Sequence, residues 1–150
     1  LSFNTNPKNS RVAEFLARDL QEGLGAVVTL HNVEWGTFLT DLDAGRTQLA
    51  QLNLGGYDAL DFLGVLESTA SPSRTRWKNA AYDQALTDLR RAKSTADQLA
   101  AIAAAEAVVA RERPLIPLFQ PVRTHLVRPG LDGFADVSDD LHPARFFVWR

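Results

Sequence analysis

Three histidines, His31, His125 and His142, are the side chains best suited to metal or proton chemistry. None lies three or four residues from another, and none falls in a His-Glu-x-x-His setting, so they read as scattered strand or surface residues. There is no cysteine, which excludes disulfides, thiolate metal sites and cysteine nucleophiles. Gly-x-Ser-x-Gly, P-loop and Gly-x-Gly-x-x-Gly patterns are absent. The carboxylate pairs Asp41/Asp43 and Asp139/Asp140 fall in expected solvated turns. No catalytic constellation emerges, and neither a metal nor a cofactor is expected.

The residues that fit binding better surround Gly55-Gly56. A strand that ends in two glycines lets another group approach its backbone closely. Asn53, Tyr57 and Asp58 offer polar groups at that strand end, where open α/β sheets hold ligands. The competing reading makes this a tight strand-to-helix turn with Asp58 as helix N-cap. Trp35, at a helix start after a strand, is either core or an apolar wall for a ligand. Trp77 follows Arg74 and Arg76 in a polar loop, and either folds back onto the domain or faces a cleft.

The elements that must hold these residues follow from periodicity and punctuation. Leu1–Thr5 alternates as a strand, and Asn6-Pro7 breaks it. A helix is expected from Lys8, capped by Asn9 or Ser10, with Val12, Phe15, Leu16, Leu20 and Leu24 on its apolar face. Strands are expected over Ala26–Val33, Gln48–Leu54, Leu115–Phe119, Arg123–Arg128 and Phe146–Trp149. Helices are expected over Trp35–Ala44, Asp58–Glu67, Asn79 to about Arg91, and Ser94 to about Arg113. Ser94 with Asp97 resembles a capping box for the last of these. Ser68–Arg76 reads as a surface loop, and Phe15, Phe38, Phe62, Tyr82 and Phe119 are assigned to the core. The order points to an α/β fold, a mixed β-sheet flanked by helices.

The chain has 150 residues, 45% hydrophobic and 23% charged, enough for one domain with a buried core. Its net charge of -2 supplies no electrostatic case for nucleic acid. No apolar run approaches the ~18 residues that a membrane helix needs. It contains no methionine and opens directly in a strand, so it is expected to be one piece of a longer protein.

Several motifs occur together in one order. Trp77-Lys78-Asn79-Ala80-Ala81-Tyr82-Asp83 leads into a helix. Arg113-Pro114-Leu115-Ile116-Pro117-Leu118-Phe119 and Leu126-Val127-Arg128-Pro129-Gly130-Leu131-Asp132-Gly133-Phe134 follow. Upstream stand Val28-Thr29-Leu30, Glu34-Trp35 and Phe38-Leu39, after the opening Leu1–Asn6 strand. This set resembles the extracytoplasmic solute-binding proteins of peptide ABC transporters, of the family 5 oligopeptide- and dipeptide-binding type, over nearly the whole chain.

The resemblance implies that residues 1–150 are the C-terminal ligand-binding lobe of a two-lobed, type II periplasmic-binding-protein fold, with the N-terminal lobe outside this sequence. It implies a peptide or related small solute held between lobes, a membrane permease as partner, no nucleic acid, and a monomer. The implied location is periplasmic or extracytoplasmic, with any lipid anchor on residues preceding Leu1. The expected ligand-binding residues are Trp35, Asn53, Gly55, Gly56, Tyr57, Asp58, Arg74 and Trp77.

Two departures stand out: Ala80 replaces the usual proline, and the stretch before Asp58 is about two residues short. The acidic residue that pairs with a peptide's α-amino group in family members falls in that gap, and Leu54 stands where a tryptophan is usual. This shifts expectation toward a non-standard or non-peptide ligand. Alternatives are a ligand-sensing lobe of a transcription regulator and, less favoured, a hydrolase domain.

Overall fold

The computed structural model describes residues 1–70, 74–122, 124–134 and 144–150. Two compact units divide the chain, Leu1–Leu115 and Ile116–Arg150. In the first, strand β1 (Ser2–Asn4) pairs in parallel with β2 (His31–Val33), and Ser2 also forms a parallel bridge to Ala50. The spatial order is therefore β2, β1, Ala50. Helix α1 (Pro7–Leu24) links the first pair, and α2 (Trp35–Asp43) links β2 to the Ala50 segment. A chain that runs parallel beside itself needs such crossovers, and the helices supply them.

Helix starts follow local chemistry. Asn6 caps α1 by accepting from the Lys8 N–H at 2.9 Å, with Pro7 in the first turn. This corrects the expected cap at Asn9 or Ser10. Pro7 does not separate strand from helix; its missing N–H costs nothing at a first helical position. Asp58 caps α3 (Ala59–Leu63), which continues as a 3₁₀ turn over Gly64–Leu66. Asn79 caps α4 (Ala80–Arg91), and Ser94 caps α5 (Thr95–Glu112), accepting from the Asp97 N–H at 3.1 Å. Gly25 ends α1 with φ +67°, a left-handed turn that glycine adopts without penalty.

Packing of α4 against α5 builds the main core: Tyr82, Ala85 and Leu86 meet Ala105 and Val108, with Leu66 beneath. The small alanines of α5 let the two helices approach closely. Tyr82 is fully buried, and its hydroxyl donates to the Leu63 carbonyl at 2.6 Å. This ties α4 to α3. Arg90 and Glu67 form a two-pronged ion pair, 2.7 and 2.6 Å, that fastens the loop after the 3₁₀ turn to the end of α4.

The expected mixed sheet is smaller than its sequence pattern. Gln48–Leu54 contributes only the bridge at Ala50. Residues 115–119 and 124–128 form no strand, while Arg123 lies outside the described residues. Alternation fits a residue to a strand, but a ladder needs a neighbour at the right distance, which these segments lack among the described residues. The second unit holds an antiparallel pair, β3 (Leu131–Asp132) with β4 (Val148–Trp149). Pro129-Gly130 forms the expected turn before it, and Arg128 lies over the Trp149 ring.

Phe38 and Tyr82 are buried as expected. Phe15, Phe62 and Phe119 are 53%, 46% and 61% exposed, which corrects their assignment to the core. On α1 the fully buried position is Ala13, because the helix meets β1 through its small side.

Burial pushes the Tyr82 hydroxyl up to about 12, with the carboxylates of Glu67 and Asp83 adding to the effect. A raised folded-state value means that Tyr82's contribution is complete below the unfolded value near 10 and is lost as pH rises through about 12. Urea titrations should show Tyr82→Phe less stable by roughly 1–2 kcal/mol at neutral pH, because the Leu63 carbonyl loses its donor. The stability difference between the variant and the parent should narrow between pH 10 and 12.

Candidate functional site

Parallel strands send their carboxyl ends to one edge. Beyond β1 lie Thr5 and Asn6, beyond β2 lie Glu34 and Trp35, and beyond Ala50 the chain runs through Asn53 to Asp58. The order β2, β1, Ala50 makes the boundary between β1 and the Ala50 segment a topological switch point. In open α/β sheets such a boundary, at the carboxyl ends of the strands, is where ligands are commonly held. Five of the expected residues, Asn53, Gly55, Gly56, Tyr57 and Asp58, thus share that edge with Trp35.

The loop has a defined internal geometry. Asp58 accepts from the Asp61 N–H at 3.0 Å, and the Asp61 carboxylate accepts from the Tyr57 N–H at 2.7 Å. These reciprocal bonds fold Gly56-Tyr57 back over the first turn of α3. Gly56 has no room for a side chain, since a Cβ would collide with Asp61 and press on Phe62. Gly55 has open space around it. Tyr57 is 80% exposed and free of such packing. Asp58 thus does serve as a helix cap, the alternative weighed from sequence.

Trp35 opens α2, and its ring stacks on the buried Phe38 at 5.8 Å with half its surface exposed. One face is therefore core-supported and the other is presented outward. Glu34 holds the helix start by accepting from the N–H groups of Gly36 and Thr37 at 2.7 and 3.2 Å. Those two bonds, Gly36 first, keep its carboxyl below the usual range.

Arg74 and Trp77 are placed differently. Arg74 pairs with Asp43 at 3.1 Å, at the end of α2. Arg76 adopts φ +54° and lays its guanidinium against Gly45, itself at φ +67°. Together they fasten residues 74–76 to the C-terminal turn of α2. Trp77 folds back onto the domain. Its ring meets Tyr82 edge-on at 5.1 Å, and its indole N–H donates to Glu112 at 2.9 Å. Glu112 also accepts from the Asn79 amide at 2.7 Å, so one carboxylate locks the aromatic, the α4 cap and the end of α5. The bond from Trp77, then those from Asn79 and Arg111, hold its carboxyl below the usual range.

Sequence reasoning missed three amides at the same strand ends. Asn9 Nδ2 donates to Asn4 Oδ1 at 2.6 Å, and Gln51 Nε2 to Asn9 Oδ1 at 3.4 Å. The available signal was a glutamine directly after the apolar Leu49-Ala50, a polar side chain at a position that the alternation turns inward. Among the described residues, no group of three or more His, Asp or Glu could hold a metal ion. No helix there is long and apolar enough to cross a membrane.

No family model matches the chain. The dipeptide-binding protein DppE of Bacillus subtilis (strain 168) is 33% identical over 138 residues, 89% of this chain and 25% of that protein. The probable deoxycholate-binding periplasmic protein YgiS of Escherichia coli (strain K12) is 30% identical over 89% of this chain and 25% of its own length. The unliganded open form of the periplasmic murein tripeptide-binding protein MppA superimposes with a TM-score of 0.85 at 26% identity. It covers 99% of this chain and 29% of that structure. The chain's homologues are solute-binding proteins of the family 5 type.

The fold is accordingly that of a type II periplasmic binding protein, an α/β architecture, of which residues 1–150 supply one part. The chain spans about a quarter of the length of the curated family 5 relatives it matches. The likeness to MppA extends over nearly all of it, including stretches where the pairing of strands is sparse.

The contrast between the two glycines is directly testable. Gly56→Ala should destabilise the protein by roughly 1–3 kcal/mol, since the new methyl group must displace Asp61 and the bond to Tyr57. Gly55→Ala should stay within about 0.5 kcal/mol, as expected where nothing is crowded. Chemical denaturation of both variants gives the comparison; equal losses would reject the loop geometry.

Proposed function

We propose that this chain is the C-terminal ligand-binding lobe of the substrate-binding component of a peptide-type ABC transporter. The intact protein holds a peptide or related small solute in a cleft between two lobes and delivers it to a membrane permease. Binding takes place outside the cytoplasm, as for the relatives with periplasmic names. The protein acts as a binding component, without catalysis.

What supports this reading is the parallel order β2, β1, Ala50, with Trp35 and the 53–58 loop following the ends of its segments, combined with relatives that are binding proteins by name. In this scheme the outward face of Trp35 is an apolar wall, and the 53–58 loop offers backbone and side-chain hydrogen bonds. Gly55, with open space around it, is where a ligand comes closest to the backbone. The exposed Tyr57 ring is available to a ligand. Arg74 and Trp77 contribute by fixing the loop that borders α2 and α4, through Asp43 and Glu112. Closure of two lobes about a hinge buries the ligand and creates the form that a permease recognises.

Half of an enclosing cleft binds poorly, because much of a ligand's surface stays in water. Calorimetry with a mixture of short peptides should detect micromolar binding by the intact protein. Residues 1–150 alone should bind at least tenfold more weakly. Equal affinity of the two would count against an interlobe site. Trp35→Ala in the intact protein should weaken binding by roughly 1–2 kcal/mol, consistent with loss of one aromatic wall.

A further inference from the structure

Trp35 is the first residue of α2, and 47% of its surface is exposed. A ring so placed makes a dependable wall only if the turn that carries it is fixed. α2 has nine residues, fewer than the ~12–15 at which an isolated helix begins to hold by itself. Its buried side chains, Phe38 and Leu42, lie beyond the first turn. The first turn therefore depends on what satisfies its N–H groups, which have no partner inside the helix.

Glu34 satisfies them. Its Oε2 accepts from the Gly36 N–H at 2.7 Å and from the Thr37 N–H at 3.2 Å, and its carbonyl accepts from the Phe38 N–H at 2.8 Å. One residue thus grips positions 36, 37 and 38, and Trp35 is the position enclosed between them. Gly36 leaves the carboxylate its room, since a Cβ there would stand 3.1 Å from Glu34 Oε2. Residues three apart on a helix lie side by side, so the rings of Trp35 and Phe38 meet only while this turn is helical. They do meet, at 5.8 Å and 24° between planes.

We infer that Glu34 is a positioning residue for ligand binding: by capping the first turn of α2 it holds the Trp35 ring on Phe38 and keeps the outer face of that ring open to the ligand. The inference rests on the reading of Trp35 as a ligand wall given above. Glu34 acts through Trp35 and needs no contact with the ligand. Without the cap the first turn frays, the ring leaves Phe38, and a ligand must pay the entropy of ordering both. A shorter carboxylate still caps, because aspartate is among the favoured residues at this position.

The test uses the intact protein that carries this chain, with Ala-Ala-Ala as the probe in calorimetry. Acrylamide quenching of tryptophan fluorescence, compared with and without Trp35→Ala, isolates the Trp35 ring and needs no ligand. Glu34→Ala should raise the quenching of Trp35 and weaken peptide binding by about tenfold. Glu34→Asp should restore the quenching and bring binding to within about twofold of the parent. With Trp35→Ala already in place, Glu34→Ala should weaken binding by less than about twofold more, the non-additivity of a residue that acts through its neighbour. Glu34→Gln keeps the shape and one accepting oxygen, and replaces Glu34→Ala if that variant does not fold; it should weaken binding by about threefold or more. Equal losses with and without Trp35, or unchanged quenching of Trp35, overturn the positioning role and leave the peptide-binding reading standing. Failure of the folded parent to bind Ala-Ala-Ala overturns that reading, and the positioning role with it.

Discussion

Everything at the candidate site depends on one short strand, paired along one edge with β2 and bridged at Ser2 on the other. Ser2–Asn4 take the β2 ladder on one side, with the His31 N–H donating to the Leu1 carbonyl and the Thr5 N–H to the Val33 carbonyl, each at 2.9 Å. On the other side the Ser2 N–H donates to Leu49 and its carbonyl accepts from Gln51, at 2.8 and 2.9 Å. So short a strand is tolerable because it is central, with neighbours on both sides. Its position also sets direction: parallel neighbours on either side force the Glu34-Trp35 start, the 53–58 loop and the α1 cap to one edge.

A second constraint fixes the rest of the first unit. Glu112 joins the indole of Trp77, the amide of Asn79 and the end of α5, while the hydroxyl of Tyr82 ties α4 to α3. Through α3 this core supports the Gly55-Gly56 loop, because the bonds among Tyr57, Asp58 and Asp61 fold the loop onto the first turn of that helix. Lowered carboxyl values at Glu34 and Glu112 have one cause in common, hydrogen bonds donated to the ionised form.

Where a residue's role is set within a few positions, sequence reading located it. Asp58, Asn79 and the Ser94–Asp97 pair are helix caps because the partner N–H lies two or three residues on. Asn6 escaped because the proline after it reads equally as a breaker or as a first helical residue. The strand patterns at 48–54, 115–119 and 124–128 overstated the sheet, since alternation reports suitability for pairing and not the presence of a partner. Phe15 and Phe62 show the same limit for burial. An apolar helix face is legible, but which part of it meets a neighbour is set by where that neighbour lies.

The amino-acid sequence by itself determined the α/β class, the helix caps at Asp58, Asn79 and Ser94, the absence of cysteine chemistry, and a family resemblance carried by ordered motifs from Leu1 to Phe134. These depend on composition and on contacts between near neighbours in the chain. Tertiary structure alone decided that Trp77 turns inward to Glu112 and that Arg74 is held by Asp43. It alone gathered Asn4, Asn9 and Gln51 around one unpaired amide. Their partners stand 35, 31 and, for Gln51 and Asn9, 42 residues apart. At such separations pairing is fixed by strand order and helix packing, which no local spacing encodes.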